Sequence, residues 1–410
     1  MTIKKPMLSV QDACDFLLNA VRPITAIERV PTLQANGRVL AQDQASQLDV
    51  PPMDNTQMDG YAVRAADCVS GEAVLAVSQR IPAGHVGLPL AAGTVARIFT
   101  GALIPQGADA VVMQEQCEAD ETGSRVTVRA SPQAGEWIRR AGEDIKSGSV
   151  ILSAGTRLRA QELGLAASVG LADLPVFRKC RVAVFFTGDE LTMPGEPLKP
   201  GAIYNSNRFM LRGLLEQLGC EVTDLGNVPD TLEATRDALR RAASGHDLIV
   251  TSGGVSVGEE DHIKPAVEAE GRLNMWQIAL KPGKPLAFGE ITGADQRDAF
   301  FIGLPGNPVS SFVTFLLFVR PFILKLQGAV VSPPRRYMVR ADFSWAKPDR
   351  RNEFLRVRFN DEGGVSLFPN QSSAVLTSTV WGDGLVDNPP GQAIAPGDLV
   401  RFIPFNELLA

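Results

Sequence analysis

The chain is poor in several residues on which common enzymes are built. It has only three histidines, His85, His246 and His262, so a His-rich metal centre or a Ser-His-Asp triad has little to draw on. The five cysteines, Cys14, Cys68, Cys117, Cys180 and Cys220, are odd in number, widely separated and without a C-x-x-C pair. Free thiols are expected, and Cys-ligated zinc is disfavoured. The sequence contains neither G-x-x-x-x-G-K-[ST] nor G-x-G-x-x-G, which argues against a Walker-type NTPase and a standard dinucleotide fold. Positive charge is not in excess. A net charge of −6 and a pI near 5.3 disfavour nonspecific attraction to nucleic acid or anionic membranes, so any anion must be held by a local site. The longest apolar run, Phe312 to Val319, stops at Arg320 and reads as a core helix rather than a bilayer span. The opening residues MTIKKPMLSVQD form no apolar signal region, and a cytoplasmic protein is expected.

The bulk composition is that of a folded soluble protein, with 45% hydrophobic and 21% charged residues. A chain of 410 residues exceeds what one core serves, and several domains are expected. Its most distinctive stretch is His246 to Asp261, HDLIVTSGGVSVGEED. An apolar run empties into a Gly-rich loop and then an acidic group, the pattern of strand, loop and helix. Glycines there can turn backbone N–H groups toward a phosphate or oxyanion, and the acids beside them can hold a divalent cation. An ordinary strand-to-helix turn carries the same glycines.

In chain order, Ser9 caps an expected helix that keeps helical spacing as far as Pro23. DVPPMDNTQMDGYAV, from Asp49, cannot be a helix interior and reads as a constrained loop presenting Asp54 and Asp59. From Cys68 to Ile138, short β runs alternate with Gly and Pro turns, as in a small β domain. Within it, RIFTGALIPQGADAVV puts Thr100 and Gly101 just after a strand, where the hydroxyl can meet a ligand or simply cap the turn. WIRRAGEDIKSG crowds Arg139, Arg140, Glu143, Asp144 and Lys146 into one loop, readable as paired surface charges or as an anion or metal contact.

From Cys180 the pattern alternates strand and helix, with strands at 182–186, 221–225, 248–250 and 299–302 and helices at 206–218, 231–243 and 308–326. Such repeats make a doubly wound parallel sheet, with ligands bound beyond the carboxyl ends of its strands. At those ends fall Glu190, Asp230, the Gly-rich loop and GLPGNP of Gly303 to Pro308, while KPGKP carries Lys281 and Lys284 between the last two. Carboxylates at Glu190, Asp230 and Asp261 with two ammonium groups on one rim point to a site that binds phosphate through a cation. Past Pro333 and Pro334 the tail is again β-like. The expected organisation is an extended linking domain of residues 1–48 and 139–178, a small β domain of 49–138, an α/β domain of 179–328 and a C-terminal β-barrel domain of 329–410.

Eight segments in order, DVPPMDNTQMDGYAV, RIFTGALIPQGADAVV, RRAGEDI, FFTGDEL, SGGVSVGEED, KPGKPLAFG, GLPGNPVSS and QSSAVLTS, span essentially the whole length. Together they resemble the molybdopterin molybdenumtransferase family, which includes bacterial MoeA and the E domain of gephyrin. The resemblance implies a MogA-like α/β domain flanked by small β domains and an extended linking domain. It implies an enzyme that inserts molybdate into adenylylated molybdopterin and releases AMP, in a Mg²⁺-dependent step of molybdenum cofactor biosynthesis. It also implies a homodimer with a shared active site, in which Asp59, Thr100 and Asp144 of the partner subunit, with Gly101 beside them, face the α/β domain.

On matching positions, the resemblance assigns Glu190, Asp230 and Asp261 to Mg²⁺ or to positioning the phosphate. Ser252, Gly253, Gly254, Ser256 and Gly258 would cradle pterin and phosphate, with Pro305, Gly306 and Asn307 nearby. Lys281 and Lys284 would neutralise phosphate or molybdate charge, and Ser310, Arg351 and Ser372 are candidates for the molybdate pocket. The chain departs from the family pattern at Met53, Gln57, Ala141 and Trp381 to Leu385. Alternative readings are a molybdopterin adenylyltransferase and a non-catalytic molybdopterin-binding scaffold. Other cofactor-synthesis proteins are the expected partners, with no nucleic acid and no membrane.

Overall fold

The computed structural model describes residues 7–255, 262–294 and 296–409, with Met275 and Trp276 as backbone alone. At its centre is a six-stranded sheet in the order Glu221–Val228, Arg181–Thr187, Leu248–Ser252, Asp298–Leu304, Pro285–Thr292, Gly271–Gln277. The first four strands are parallel. Their continuous apolar runs follow from burial on both faces. Along Arg181–Thr187, Val182, Val184 and Phe186 enter one core with Leu211, Leu215 and Phe315, while Ala183 and Phe185 enter a second with Leu239, Ile263 and Ala266. This is the two-residue alternation of a strand put to use on both sides.

Two further strands, Pro285–Thr292 and Gly271–Gln277, run antiparallel at one edge. They extend the expected doubly wound parallel sheet by an antiparallel edge. The connection between them, Ile278 to Lys284, leaves the sheet and lends Leu280–Lys281 to the C-terminal sheet, where it pairs in parallel with Asn352 and Glu353. That second sheet runs Leu280–Lys281, Asn352–Phe359, Gly384–Asn388, Leu399–Pro404, Tyr337–Arg340, with Val365–Leu367 added to Asn352–Phe359. Phe354, Leu385, Ile403, Phe405 and Leu408 of the tail share one core with the α/β helices.

The helix Pro308–Leu326 has the length and composition of a membrane span, yet it is mostly buried inside the protein. It is the core helix expected from its sequence. A π-type turn, Phe315–Val319, widens it in the middle. The helix Ser206–Gln217 is capped by Asn205, whose Oδ1 accepts from Arg208 N at 3.1 Å. At the first helix, Val10–Ala20, Ser9 Oγ accepts from Asp12 N at 3.0 Å as expected. The strand Asp173–Phe177 pairs antiparallel with Ile27–Pro31. All five cysteines are free.

The early β sheet runs Ala110–Met113, Gly60–Val63, Thr94–Ile98, Ala73–Ile81, Arg125–Val128, Cys117–Ala119. Gly60 sits in it so tightly that an added Cβ would lie 1.9 Å from the Val112 carbonyl oxygen. Backbone on both sides of the clash cannot yield without breaking the ladder. Gly60→Ala is expected to destabilise this region by about 1–3 kcal/mol, read as a lowered denaturant midpoint, and an unchanged midpoint would contradict the packing described.

Candidate functional site

The parallel strands end on one edge of the central sheet, and the chain leaving them carries Glu190, Asp230 and the start of the Gly-rich loop. Thr187 and Val228 are register partners on neighbouring strands, so the segments carrying Glu190 and Asp230 depart side by side. Glu190 is exposed and lines an open cleft of about 690 Å³ with Asp189, Thr192, Glu196 and Lys199. Asp230 is half-buried. Ser256, Gly258 and Asp261 lie outside the described residues. Among the described residues no group of three His, Cys, Asp or Glu side chains is clustered as a metal centre.

The Gly-rich loop and the loop after Asp298–Leu304 are laced together. The Ser252 hydroxyl donates to the Pro305 carbonyl at 2.9 Å, accepts from Asn207 Nδ2 at 2.9 Å and meets Ser311 Oγ at 3.0 Å. Gly253 N donates to Leu304 O at 3.1 Å. Ser252 is buried and its hydroxyl is committed to holding the loops together. Gly253 has φ +101°, and an added Cβ would sit 2.9 Å from the Thr187 carbonyl, so glycine is required there. Gly254, at φ +64°, continues the turn.

Asn207, which the sequence reading passed over, ties this arrangement at its centre. Its Nδ2 also donates to Gly306 O at 2.7 Å, while its Oδ1 is buried with no hydrogen-bond partner among the described residues. Leaving such an acceptor unmet costs about 1–3 kcal/mol unless a ligand or water donor supplies the bond. The signal was an Asn-Ser-Asn run at the start of the helix Ser206–Gln217, whose first turn lies at the rim.

A second group gathers where the central and C-terminal sheets meet. Lys281 Nζ lies 3.0 Å from Glu353 Oε1 and 3.6 Å from Asp349 Oδ2. Arg351 grips Asp349 with two bonds, of 2.9 and 2.8 Å. Those bonds foremost hold the Asp349 carboxyl far below the usual carboxylate range. The expectation that Lys281 stands on the rim beside Lys284 is therefore corrected, because strand pairing turns its ammonium toward the C-terminal sheet and Glu353. Lys284 is exposed and has no carboxylate partner among the described residues. Ser310 is buried in the first turn of Pro308–Thr314, and Val309 N donates to Ser373 O at 3.0 Å, which brings the turn holding Ser372 against the same helix start as Pro305 to Asn307.

Arg356 was also missed, although it anchors that turn. It is 1% exposed, with Nε on Ser378 Oγ at 3.1 Å and Nη2 on Ser372 O at 3.2 Å. Burial pushes its pKa down to about 10. Its place was legible in principle, since Phe354 and Arg356 are alternate residues of one strand and share its inward face.

The third group stands apart. Asp59 Oδ1 accepts from Thr100 Oγ1 at 2.6 Å and from Thr100 N at 2.8 Å. The Thr100 hydroxyl foremost, and then its N–H, lower the Asp59 pKa. A carboxylate with a depressed pKa keeps its charge on the acid side, and losing the donor lets protonation begin at higher pH. Thr100→Val is accordingly expected to shift the Asp59 titration upward, followed by carbon NMR of the carboxyl, and an unmoved titration would refute the role given to the hydroxyl. Gly101, at φ +81°, completes the turn, and its N–H donates to Thr56 O at 2.9 Å.

In the charge-rich loop, Arg140 pairs with Asp54 at 2.6 Å and Ala141 N donates to Asp54 Oδ1 at 2.9 Å, leaving Asp144 exposed. The paired-charge reading of that loop holds for Arg140. Among the described residues no element of the early β sheet packs extensively on the α/β sheet. Rim and junction are thus contiguous within one chain, whereas Asp59, Thr100 and Asp144 belong to a separate body.

Three family models cover this arrangement. The description "MoeA N-terminal region (domain I and II)" matches residues 8–170, "Probable molybdopterin binding domain" matches 183–325 and "MoeA C-terminal region (domain IV)" matches 338–405. They define a multidomain protein with a MoCF-type α/β centre between MoeA-type flanks. A molybdopterin molybdenumtransferase of Haemophilus influenzae is 38% identical over 98% of this chain and 100% of its own length. One from a Nostoc species is 38% identical over 98% of this chain and 89% of its own. The crystal structure of a molybdopterin biosynthesis MoeA protein from Pyrococcus horikoshii superimposes with a TM-score of 0.83 at 28% identity, covering 97% of this chain and all of that one. The chain belongs to the molybdopterin molybdenumtransferase family.

Proposed function

We propose that this protein inserts molybdate into adenylylated molybdopterin and releases AMP, a step of molybdenum cofactor biosynthesis. The observation that carries the reading is the end-to-end likeness to transferases so named, at 38% identity over 98% of the chain. The two rival readings are disfavoured by the same fact. An adenylyltransferase would account for the α/β centre alone, and a scaffold has no use for carboxylates and an exposed lysine at the strand ends.

The chemistry suits the residues. Breaking the phosphoanhydride that joins AMP to molybdopterin builds negative charge on the phosphate oxygens, and Lys284 can meet it with a free ammonium. Backbone N–H groups past Ser252, turned by Gly253 and Gly254, suit phosphate oxygens. Molybdate, a tetrahedral dianion, suits convergent hydrogen-bond donors of the kind gathered at the junction by Lys281, Arg351 and the Ser310 and Ser372 segments. Mg²⁺ accepts one or two carboxylates and fills its remaining positions with water. Glu190 and Asp230, leaving adjacent strand ends, fit that demand, with Asp261 as a third candidate. The ion would neutralise phosphate charge there.

On this reading the protein is a cytoplasmic homodimer divided as 1–48 with 139–178, 49–138, 179–328 and 329–410. Each active site would take Asp59, Thr100 and Asp144 from the partner subunit. The separate body formed by the early β sheet supports that division. The test is release of AMP from adenylylated molybdopterin, with and without molybdate and with and without Mg²⁺. Release that needs all components is expected, and consumption of ATP in its place would make the protein an adenylyltransferase.

A further inference from the structure

Beside Asp59 and Thr100 the early β sheet carries an arrangement that the reading above does not use. Tyr61, Arg97 and Arg80 are neighbours across three strands, paired Tyr61 with Arg97 and Arg97 with Arg80. Phe99 follows the strand Thr94–Ile98 directly. The Arg80 guanidinium carbon lies 4.5 Å from the centre of the Phe99 ring, and that of Arg97 lies 4.6 Å from the same ring and 5.2 Å from Tyr61. Arg97 donates to Gly60 O at 2.9 Å and to Gln114 Oε1 at 2.7 Å, both neutral acceptors. Arg80 is exposed, and neither arginine pairs with a carboxylate among the described residues.

Two guanidiniums over one phenyl ring, neither in an ion pair, though the Arg97 charge reaches Asp59, are unusual on a chain of net charge −6. Aromatic contact holds each guanidinium plane in place, and such a plane offers a stacking surface to a nucleobase together with charge-assisted donors to a phosphate. Gly60 follows Asp59 directly, so the Arg97 bond to Gly60 O ties this platform to the backbone that presents the Asp59 carboxylate.

We propose that Arg80, Phe99 and Arg97 form a nucleotide subsite, on which the base of the AMP end of the substrate stacks and its phosphate is met by the two arginines. The inference rests on the transferase reading, since it assigns that substrate's adenylate to this body. A lysine in place of Arg80 keeps the charge and loses the plane.

The test is the dissociation constant of AMP and of inorganic phosphate for the full-length protein, by calorimetry, with folding of each variant checked by circular dichroism. Arg80→Ala is expected to weaken AMP about tenfold, equivalent to about 1.4 kcal/mol, and phosphate far less. Arg80→Lys is expected to weaken AMP and leave phosphate as it was. The proposal is overturned by an AMP constant unchanged in Arg80→Ala, by AMP and phosphate weakened to the same extent in that variant, or by a wild-type chain that binds no AMP while still releasing it in turnover. Absence of any AMP release from adenylylated molybdopterin by the wild type would instead remove the transferase reading, and the two failures are thereby told apart.

Discussion

Gly253→Ala is expected to lower AMP release about a hundredfold while melting falls by only a few degrees. The residue stands at φ +101°, and the added carbon would come within 2.9 Å of the Thr187 carbonyl. That oxygen ends a central strand paired on both sides, so the loop must move and the strand stays. Forcing a side chain into such a conformation costs on the order of 1–3 kcal/mol. The displacement falls on the N–H groups that would receive phosphate, where about 1.4 kcal/mol of lost transition-state stabilisation is a factor of ten in rate. Steady-state AMP release and a thermal melt on the same preparation check it. A variant within threefold of wild-type turnover would show that the loop does not hold the reacting phosphate.

Asp59→Ala and Glu190→Ala are each expected to cut turnover by a factor of about a hundred to a thousand, the usual scale for losing one preorganised charged contact. Their combination is more informative than either alone. If each site joins the Asp59 body of one subunit to the Glu190 rim of the other, a mixed dimer holds one site with both defects and one with neither. Unfolding and refolding the two variants together at equal amounts should then restore about a quarter of wild-type activity, from half the dimers with half their sites intact. Recovery of nothing above the single variants would place the whole site within one chain and would falsify the shared arrangement.

Much of this architecture could be read from the residues because local pattern and tertiary role coincide. The short β runs expected between Cys68 and Ile138 include the strands Ala110–Met113 and Arg125–Val128. Val182 to Phe186, apolar without a break, is a strand buried on both faces. The edge hairpin was not legible. GRLNMWQ mixes polar and apolar residues at an edge position, and its partner strand starts inside KPGKP, which reads as a loop. At the next helix, Asn205 and Ser206 can both serve as caps, and only the coordinates choose Asn205.

The site divides in the same way. Glu190, Asp230 and the start of the Gly-rich loop could be placed at strand ends because each follows a strand. The partner of Lys281 is Glu353, 72 residues further on, and no local pattern connects them. Asn207 and Arg356 escaped because polar residues inside a helix turn or a strand look ordinary until burial shows what they hold. Family likeness supplied the assignments that physics alone left open, and the structure then separated residues with free charge from those already paired.

The excursion that carries Leu280 and Lys281 into the C-terminal sheet has a mechanical consequence. The chain between residues 271 and 292 belongs to one sheet at both ends and to another in its middle. Swinging the tail away by rotation at the prolines near 333 would have to tear main-chain bonds as well as a common core. Rim and tail are therefore joined as one block, whereas among the described residues the early β sheet has no extensive packing on the α/β sheet and is the part of the chain freer to shift against it.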